Sequence, residues 1–400
     1  MSANPVPLPP TLVTDRAVPC VGREQQLRLL DDVWKDSVQG ARRAIFIGGE
    51  PGIGKTRLVS EFGSALHARG ATVLYGRCDE DIGVPYQPFA EALRHFIAHS
   101  GSPELDDRQP HLTRILPELG LRTSSAALPG LDPGIERWWL FEDVAKMFDS
   151  ASAERPMVLI LEDLHWAAAP SLLLLRHLAR AKDPAALLIV GTFRDTELER
   201  SHPLASILAD FRPDDGVTRV SLKGLDQEGV LAYVEASTGF ELDDQGRSFA
   251  ATLYDEASGN PLFIGEVLRH LIETGVVSEA DGHWTFDADP WNDVPPSVRD
   301  VISRRIGRLP PPAQMTLSVA ACCGAEFELS WLERALDGGD AILQDLDRAV
   351  GARIVDELPV SGRYTFSHTL IRRTLYDELS LTRRSRIHGQ LGLAIEETHS

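Results

Sequence analysis

The chain has 400 residues, 43% hydrophobic and 25% charged, which fits a soluble globular protein of two or three domains better than a single core. Its formal net charge of -19 excludes a generally basic surface of the kind that grips phosphate backbones, and no stretch reaches the roughly 18 apolar residues of a spanning helix. Cys20, Cys78, Cys322 and Cys323 show no C-x-x-C spacing and no partner histidines at ligand spacing, so they read as free thiols in a reducing cytoplasm.

Residues 1–19 carry Pro5, Pro7, Pro9 and Pro10 where a signal peptide would need an apolar block, and they read as a disordered Pro-rich tail. Val21-Gly22-Arg23-Glu24 then opens a helix with Leu27, Leu30, Val33 and Trp34 at helical spacing. The apolar run Ala44 to Ile47 predicts a strand, and Thr56 to about Arg69 a helix. Between them stands Gly49-Glu50-Pro51-Gly52-Ile53-Gly54-Lys55-Thr56, the pattern G-x-x-x-x-G-K-T in the strand–loop–helix context that gives it meaning. Glycines let consecutive backbone N–H groups curl around phosphates, and the following helix points its positive end at the same anion. Lys55 would supply a charge to the β- and γ-phosphates, and the Thr56 hydroxyl a ligand to Mg²⁺.

A second strand runs from Thr72 to Tyr75, followed by a helix near Phe89 to His99 and a surface insertion from Gly101 to Pro133 with one short leucine-bearing helix. Glu136 to Phe148 reads as an amphipathic helix, and Pro156 to Leu161 as a strand buried on both faces. That strand ends in Glu162-Asp163. Glu162 takes the position of a carboxylate holding Mg²⁺, and Asp163 the neighbouring position from which a water is polarised. A helix from Ser171 to Ala179 and a strand from Leu187 to Val190 follow, the latter ending in Gly191-Thr192-Phe193-Arg194. Arg194 is placed to sense a γ-phosphate, with a plain salt bridge to Asp195 or Glu197 as its alternative. The polar residues thus collect at the strands' carboxyl ends, where open α/β sheets bind ligands.

After a last strand, Val217 to Leu222, the alternation stops near residue 223. Helices follow at 226–235, 249–257 and 261–273, the last with Asn260 as N-cap and Pro261 in its first turn. Beyond the Pro295-Pro296 joint, helices at 298–309, 313–322, 329–335 and 341–350 precede β-like runs at 354–358 and 363–366, which suggests a winged helix-turn-helix. Arg372, Arg373, Arg383, Arg384, Arg386 and His388 form a basic cluster, either a solvated face packed on an acidic neighbour or a nucleic-acid contact.

In order, these segments resemble the signal-transduction ATPases with numerous domains, in particular the large bacterial LuxR-type regulators and the maltose-regulon activator. The resemblance implies that Val21, Gly22 and Arg23 lie near adenine and ribose, and that Gly49 to Thr56, with Arg57 beside it, is the Walker A loop. It makes Leu159 to Trp166 an extended Walker B, Gly191 to Arg194 a sensor strand, and Gly259-Asn260-Pro261-Leu262 a lid motif whose proline packs on adenine. His368, in Phe366-Ser367-His368, would approach a bound diphosphate; a satisfied core histidine is the alternative. Ala167-Ala168-Ala169 departs from the family, which often has an aspartate after His-Trp-Ala.

The expected organisation is a parallel P-loop sheet with helices on both faces over 20–222, an all-α lid over 223–296, a winged helix over 297–388 and the start of a connecting helix over 389–400. The resemblance implies an ATP/ADP switch with slow Mg²⁺-dependent hydrolysis, the nucleotide held between P-loop domain, lid and winged helix. It further implies self-association in the ATP state, and contact with DNA through modules outside this chain. A DNA-remodelling or initiator ATPase using the winged helix is the alternative.

Overall fold

The computed structural model of the chain describes residues 6–13, 20–80, 83–100, 110–117, 132–198, 201–212, 215–239, 241–274, 277–280, 283–286 and 296–398. The chain divides into two compact units, Met1–Lys223 and Gly224–Ser400. In the first, the elements run α1 (Glu24–Val38), β1 (Arg43–Gly49), α2 (Lys55–Ala68), β2 (Thr72–Arg77), α3 (Gln87–His99), α4 (Pro133–Glu154), β3 (Met157–Glu162), α5 (Ala169–Arg180), β4 (Leu187–Phe193), α6 (Pro203–Asp210) and β5 (Val217–Leu222). Most of the insertion expected at 101–133 lies outside the described residues; Pro110–Arg114 within it is a 3-10 turn.

The five strands make one sheet in the order β2-β3-β4-β1-β5, every neighbouring pair parallel. Ile45 stands beside Val190, and Leu159 beside Ile189. Successive side chains of a strand point to opposite faces. Ile45 and Ile47 therefore join a layer with Leu30 and Trp34 of α1 and Leu58, Phe62 and Leu66 of α2. Ala44 and Phe46 join the opposite layer with Phe89, Leu140, Val144, Phe148, Leu172 and Leu204 from α3 to α6. Coverage on both faces explains why the central strands are apolar throughout, and it directs their polar residues to the carboxyl ends.

Residues 6–13 correct the expectation of a disordered tail. Pro10–Leu12 form a 3-10 turn, Leu12 is wholly buried, and Val6 is buried too. Three side chains donate to the carbonyls of this strap: His67 Nε2 to Val6 O at 3.0 Å, His95 Nε2 to Pro7 O at 2.8 Å, and Ser64 Oγ to Leu12 O at 3.4 Å. Proline cannot join a strand ladder, so donors from α2 and α3 take the place of sheet pairing while Val6 and Leu12 supply the apolar burial. Residues 1–5 and 14–19 of the predicted tail lie outside the described residues.

The second unit opens with α7 (Gln227–Thr238), α8 (Asp244–Ala257) and α9 (Pro261–Glu273). Each has a side-chain cap: Asp226 accepts from Gly229 N at 2.8 Å, Asp243 from Gly246 N at 2.8 Å, and Asn260 from Leu262 N at 3.1 Å. A short antiparallel hairpin, β6 (Val277–Ala280) with β7 (His283–Phe286), follows within the span expected to be helical. Then come α10 (Pro296–Ile306), α11 (Pro311–Cys323), β8 (Glu326–Glu328), α12 (Leu329–Leu336), α13 (Asp340–Gly351), β9 (Val355–Glu357), β10 (Arg363–Phe366), α14 (Thr369–Glu378) and α15 (Leu381–Thr398).

Strands β8, β10 and β9 form an antiparallel sheet in that spatial order, and Phe327 of β8 packs on Tyr364 and Phe366 of β10. The succession of helices and hairpin is compatible with the winged-helix expectation. Two arginines of the basic cluster are engaged inside the unit, Arg372 with Ala321 O and Arg384 with Tyr376 O and the Tyr376 ring. Among the described residues, no helix is long and apolar enough to cross a membrane.

Candidate functional site

The loop between β1 and α2 carries the phosphate-binding pattern at the carboxyl edge of the sheet. Gly52 and Gly54 have φ of 78° and 97°, the left-handed region that side chains resist. Gly54 is also the residue before α2, whose first turn has N–H groups without partners inside the helix. A Cβ at Gly49 would sit 2.8 Å from Leu222 O, so the root of the loop is pressed against the end of β5. Glu50, Pro51 and Ile53 complete the turn, with Ile53 N donating to Glu50 O at 3.4 Å.

Lys55 is buried, and its Nζ donates to the loop's own carbonyls, Gly49 O at 2.7 Å and Glu50 O at 2.8 Å. Burial first, and the Arg194 charge second, bring its pKa down to about 8; Asp163, Asp195 and Glu162 oppose the shift. A buried ammonium held by neutral carbonyls is under-compensated. An anion entering the loop supplies the missing negative charge, so the residues fit a phosphate.

Glu162 ends β3 and is buried, which raises its pKa, while hydrogen bonds from Thr56 and Tyr75 favour the charged form. Tyr75 Oη donates to Glu162 Oε2 at 2.8 Å. Thr56 and Glu162 thus present a hydroxyl and a carboxylate together, the hard oxygen donors that suit Mg²⁺. Asp163 follows with a φ of 56°, a strained conformation for this residue, and its carboxylate accepts from Arg77 Nε at 2.9 Å. Its backbone N–H reaches Thr192 Oγ1 of β4 at 3.3 Å.

Arg194 takes the salt bridge: its Nη1 donates to Glu197 Oε1 at 2.6 Å, and its guanidinium lies 4.6 Å from the Trp166 ring centroid. The backbone N–H of Arg194 donates to His165 Nδ1 at 3.3 Å, which puts the ring proton on Nε2, 3.5 Å from Glu197 Oε2. Burial brings the His165 pKa down to about 3, so the ring is neutral.

Arg23 is buried and works as a staple. Its Nη2 donates to Ile53 O at 2.9 Å and its Nη1 to Lys223 O at 2.8 Å, tying the phosphate loop to the residue after β5. Val21 and Gly22 precede it, Gly22 with a φ of 65°. Arg57, in the first turn of α2, pairs with Glu61 at 3.5 Å. Pro261 and His368 belong to the second unit, where buried His368 meets Phe263 edge-on at 5.3 Å between ring centroids.

The first unit therefore brings together Arg23, Gly49 to Thr56, Glu162, Asp163 and Arg194. Sequence reasoning missed Tyr75 and Arg77, whereas Glu197 is one of the two salt-bridge partners it offered for Arg194. Tyr75 and Arg77 sit at the end of β2 beside β3, and the register of that pair carries the signal, since Arg77 stands directly opposite Glu162.

This geometry is that of a phosphate-binding P-loop on a parallel sheet, and a comparison with known families finds that residues 19–190 match the AAA ATPase domain. An uncharacterized protein of Rhizobium meliloti (strain 1021) is 22% identical over 406 residues, an alignment covering 95% of this chain; the chain spans 37% of that relative's length. The Walker-type ATPase of Pyrococcus abyssi is similar in structure, with a TM-score of 0.53 at 13% identity over 88% of this chain and 95% of that one, which shows a shared fold. A signal-transduction ATPase with a tetratricopeptide repeat sensor from Pyrococcus horikoshii aligns over 97% of this chain and 47% of that one at 16% identity, with a TM-score of 0.38.

Proposed function

We propose that the chain is an adenine-nucleotide switch with slow ATP hydrolysis, the regulatory ATPase module of a LuxR-type transcriptional regulator. The observation that carries the reading is Lys55, a buried ammonium held on the carbonyls of its own glycine loop beside the hydrogen-bonded pair Thr56 and Glu162. Lys55 and the N–H groups at the start of α2 hold the phosphates; Thr56 and Glu162 would hold Mg²⁺, which would screen the phosphate charge. Asp163 orients water, while the Arg77 guanidinium occupies one oxygen of its carboxylate at 2.9 Å. That pairing supports slow turnover.

On this reading, α9 with Pro261 and the His368 loop, read as part of a winged helix, respond to which nucleotide is held. Phe263 and His368 are already packed together, which supports a joint response. The resting form favours ADP; the ATP form self-associates in the cytoplasm, and DNA is contacted through other modules. Switching needs differential affinity, and a tenfold preference of each nucleotide for its own form biases the equilibrium by about 1.4 kcal/mol.

Titration calorimetry with ADP and with a non-hydrolysable ATP analogue plus Mg²⁺ tests the reading. Tight ADP binding with weaker analogue binding supports the switch; tighter analogue binding with rapid hydrolysis contradicts it.

A further inference from the structure

Four contacts close a circuit at the end of β4. Arg194 Nη1 donates to Glu197 Oε1 at 2.6 Å, and the other oxygen of the same carboxylate, Oε2, stands 3.5 Å from His165 Nε2. The His165 ring accepts the Arg194 backbone N–H on Nδ1 at 3.3 Å, and the Trp166 ring lies under the Arg194 guanidinium at 4.6 Å. His202 Nε2 donates to His165 O at 2.9 Å, and its own Nδ1 accepts from Leu204 N at 3.1 Å, which fixes the turn that carries His165 and Trp166.

The circuit sits next to the phosphate loop, because β4 pairs with β1 and Phe193 stands opposite Gly48, each one residue before Arg194 and the loop's Gly49. His165 and Trp166 lie two and three residues beyond Asp163 in a 3-10 turn, Leu164–Trp166, so the circuit joins the ends of β3 and β4. The His165 side chain is 0% exposed, whereas those of Arg194 and Glu197 are 20% and 24% exposed. The ring is thus a dry backing and the ion pair its partly hydrated front. An ion pair so placed is held weakly enough for a second anion to compete.

We propose that Glu197 is a positioning residue that parks Arg194 away from the phosphate loop, and that a γ-phosphate competes with the Glu197 carboxylate for the same guanidinium. The inference rests on the reading of Gly49 to Thr56 as an ATP site. Arg194 donates to one anion at a time with its Nη1 edge: to Glu197 when a diphosphate is held, and to the third phosphate when a triphosphate is held. The terminal phosphate carries more charge and more acceptor oxygens than a carboxylate, and a planar guanidinium suits it. Glu197 therefore sets how strongly the site distinguishes ATP from ADP, while the loop sets how strongly either binds. Trp166 keeps the guanidinium plane in place from one face in both positions.

The test is a set of calorimetric titrations of ADP and of a non-hydrolysable ATP analogue with Mg²⁺, on the full chain and on the variants Glu197→Gln, Glu197→Asp, Arg194→Gln and the double variant Glu197→Gln/Arg194→Gln. Removing the competing charge in Glu197→Gln is expected to tighten the analogue by about fivefold, the upper end for one partly exposed ion pair, and to leave ADP within about twofold. Glu197→Asp keeps the charge on a shorter arm and is expected to fall between the parent and Glu197→Gln. Where Arg194 is already Gln, changing Glu197 should have no further effect. Circular dichroism on each variant separates altered binding from altered folding, and Glu197→Asp carries the test if Glu197→Gln does not fold. Equal shifts for both nucleotides, or a weaker analogue in the folded Glu197 variants that keep Arg194, overturns the parking role while ADP binding by the parent leaves the ATP-site reading standing. A parent chain that binds neither nucleotide overturns both.

Discussion

At the residue scale, the site is a set of charges each restrained by a named neighbour. Lys55 is held by two carbonyls, Glu162 by Tyr75 and Thr56, and Asp163 by Arg77. Arg77→Gln frees the Asp163 carboxylate, and steady-state hydrolysis should rise several-fold; an unchanged or lower rate would show that Asp163 does not act on the water or that Arg77 aids it. His165 supplies a pH test. Burial brings its pKa down to about 3 in the folded chain against an ordinary value of 6.5, so the unfolded state binds more protons between those values. The stability tied to this ring is complete above about pH 6.5 and is lost as pH falls towards 3, at about 1.4 kcal/mol for each unit of pKa difference. Urea midpoints at pH 7 and pH 4.5 should therefore fall further for the parent chain than for His165→Asn, and equal falls would remove His165 as the source.

At the element scale, patterns within a short window were legible and contacts across the sheet were not. The glycine loop, the apolar runs of β1, β3 and β4, and the caps Asn260 and Pro261 are all local patterns, and the strands stand within a few residues of expectation. Arg77 and Asp163 meet only when β2 pairs with β3, a contact between positions 86 apart in sequence. Strands of three or four residues, such as β8 and the β6–β7 hairpin, are too short to show a period of two. The Pro-rich strap was misread because proline-rich composition weighs towards disorder, whereas Leu12 and Val6 fill positions among α2 and α3 residues that only the folded unit defines. Leu12→Ala should cost about 3 kcal/mol, and thermal unfolding of the first unit should fall by roughly 6–12 °C. A change of a degree or less would show that the strap adds nothing to stability.

At the scale of the whole molecule, a P-loop unit with restrained acids stands in one chain with a second unit of helices and a small antiparallel sheet. The switch reading makes the second unit the reporter of the first. Pro261→Ala and His368→Ala should then weaken ADP more than the ATP analogue, by at least threefold, and equal losses would separate the second unit from nucleotide discrimination. The central claim, that Gly49 to Thr56 holds the phosphates through Lys55, is tested most directly by titrating ADP with Mg²⁺ into the nucleotide-stripped chain and into folded Lys55→Ala. Tight binding by the parent with no measurable binding by the variant is the predicted result; micromolar affinity retained in Lys55→Ala would contradict the account.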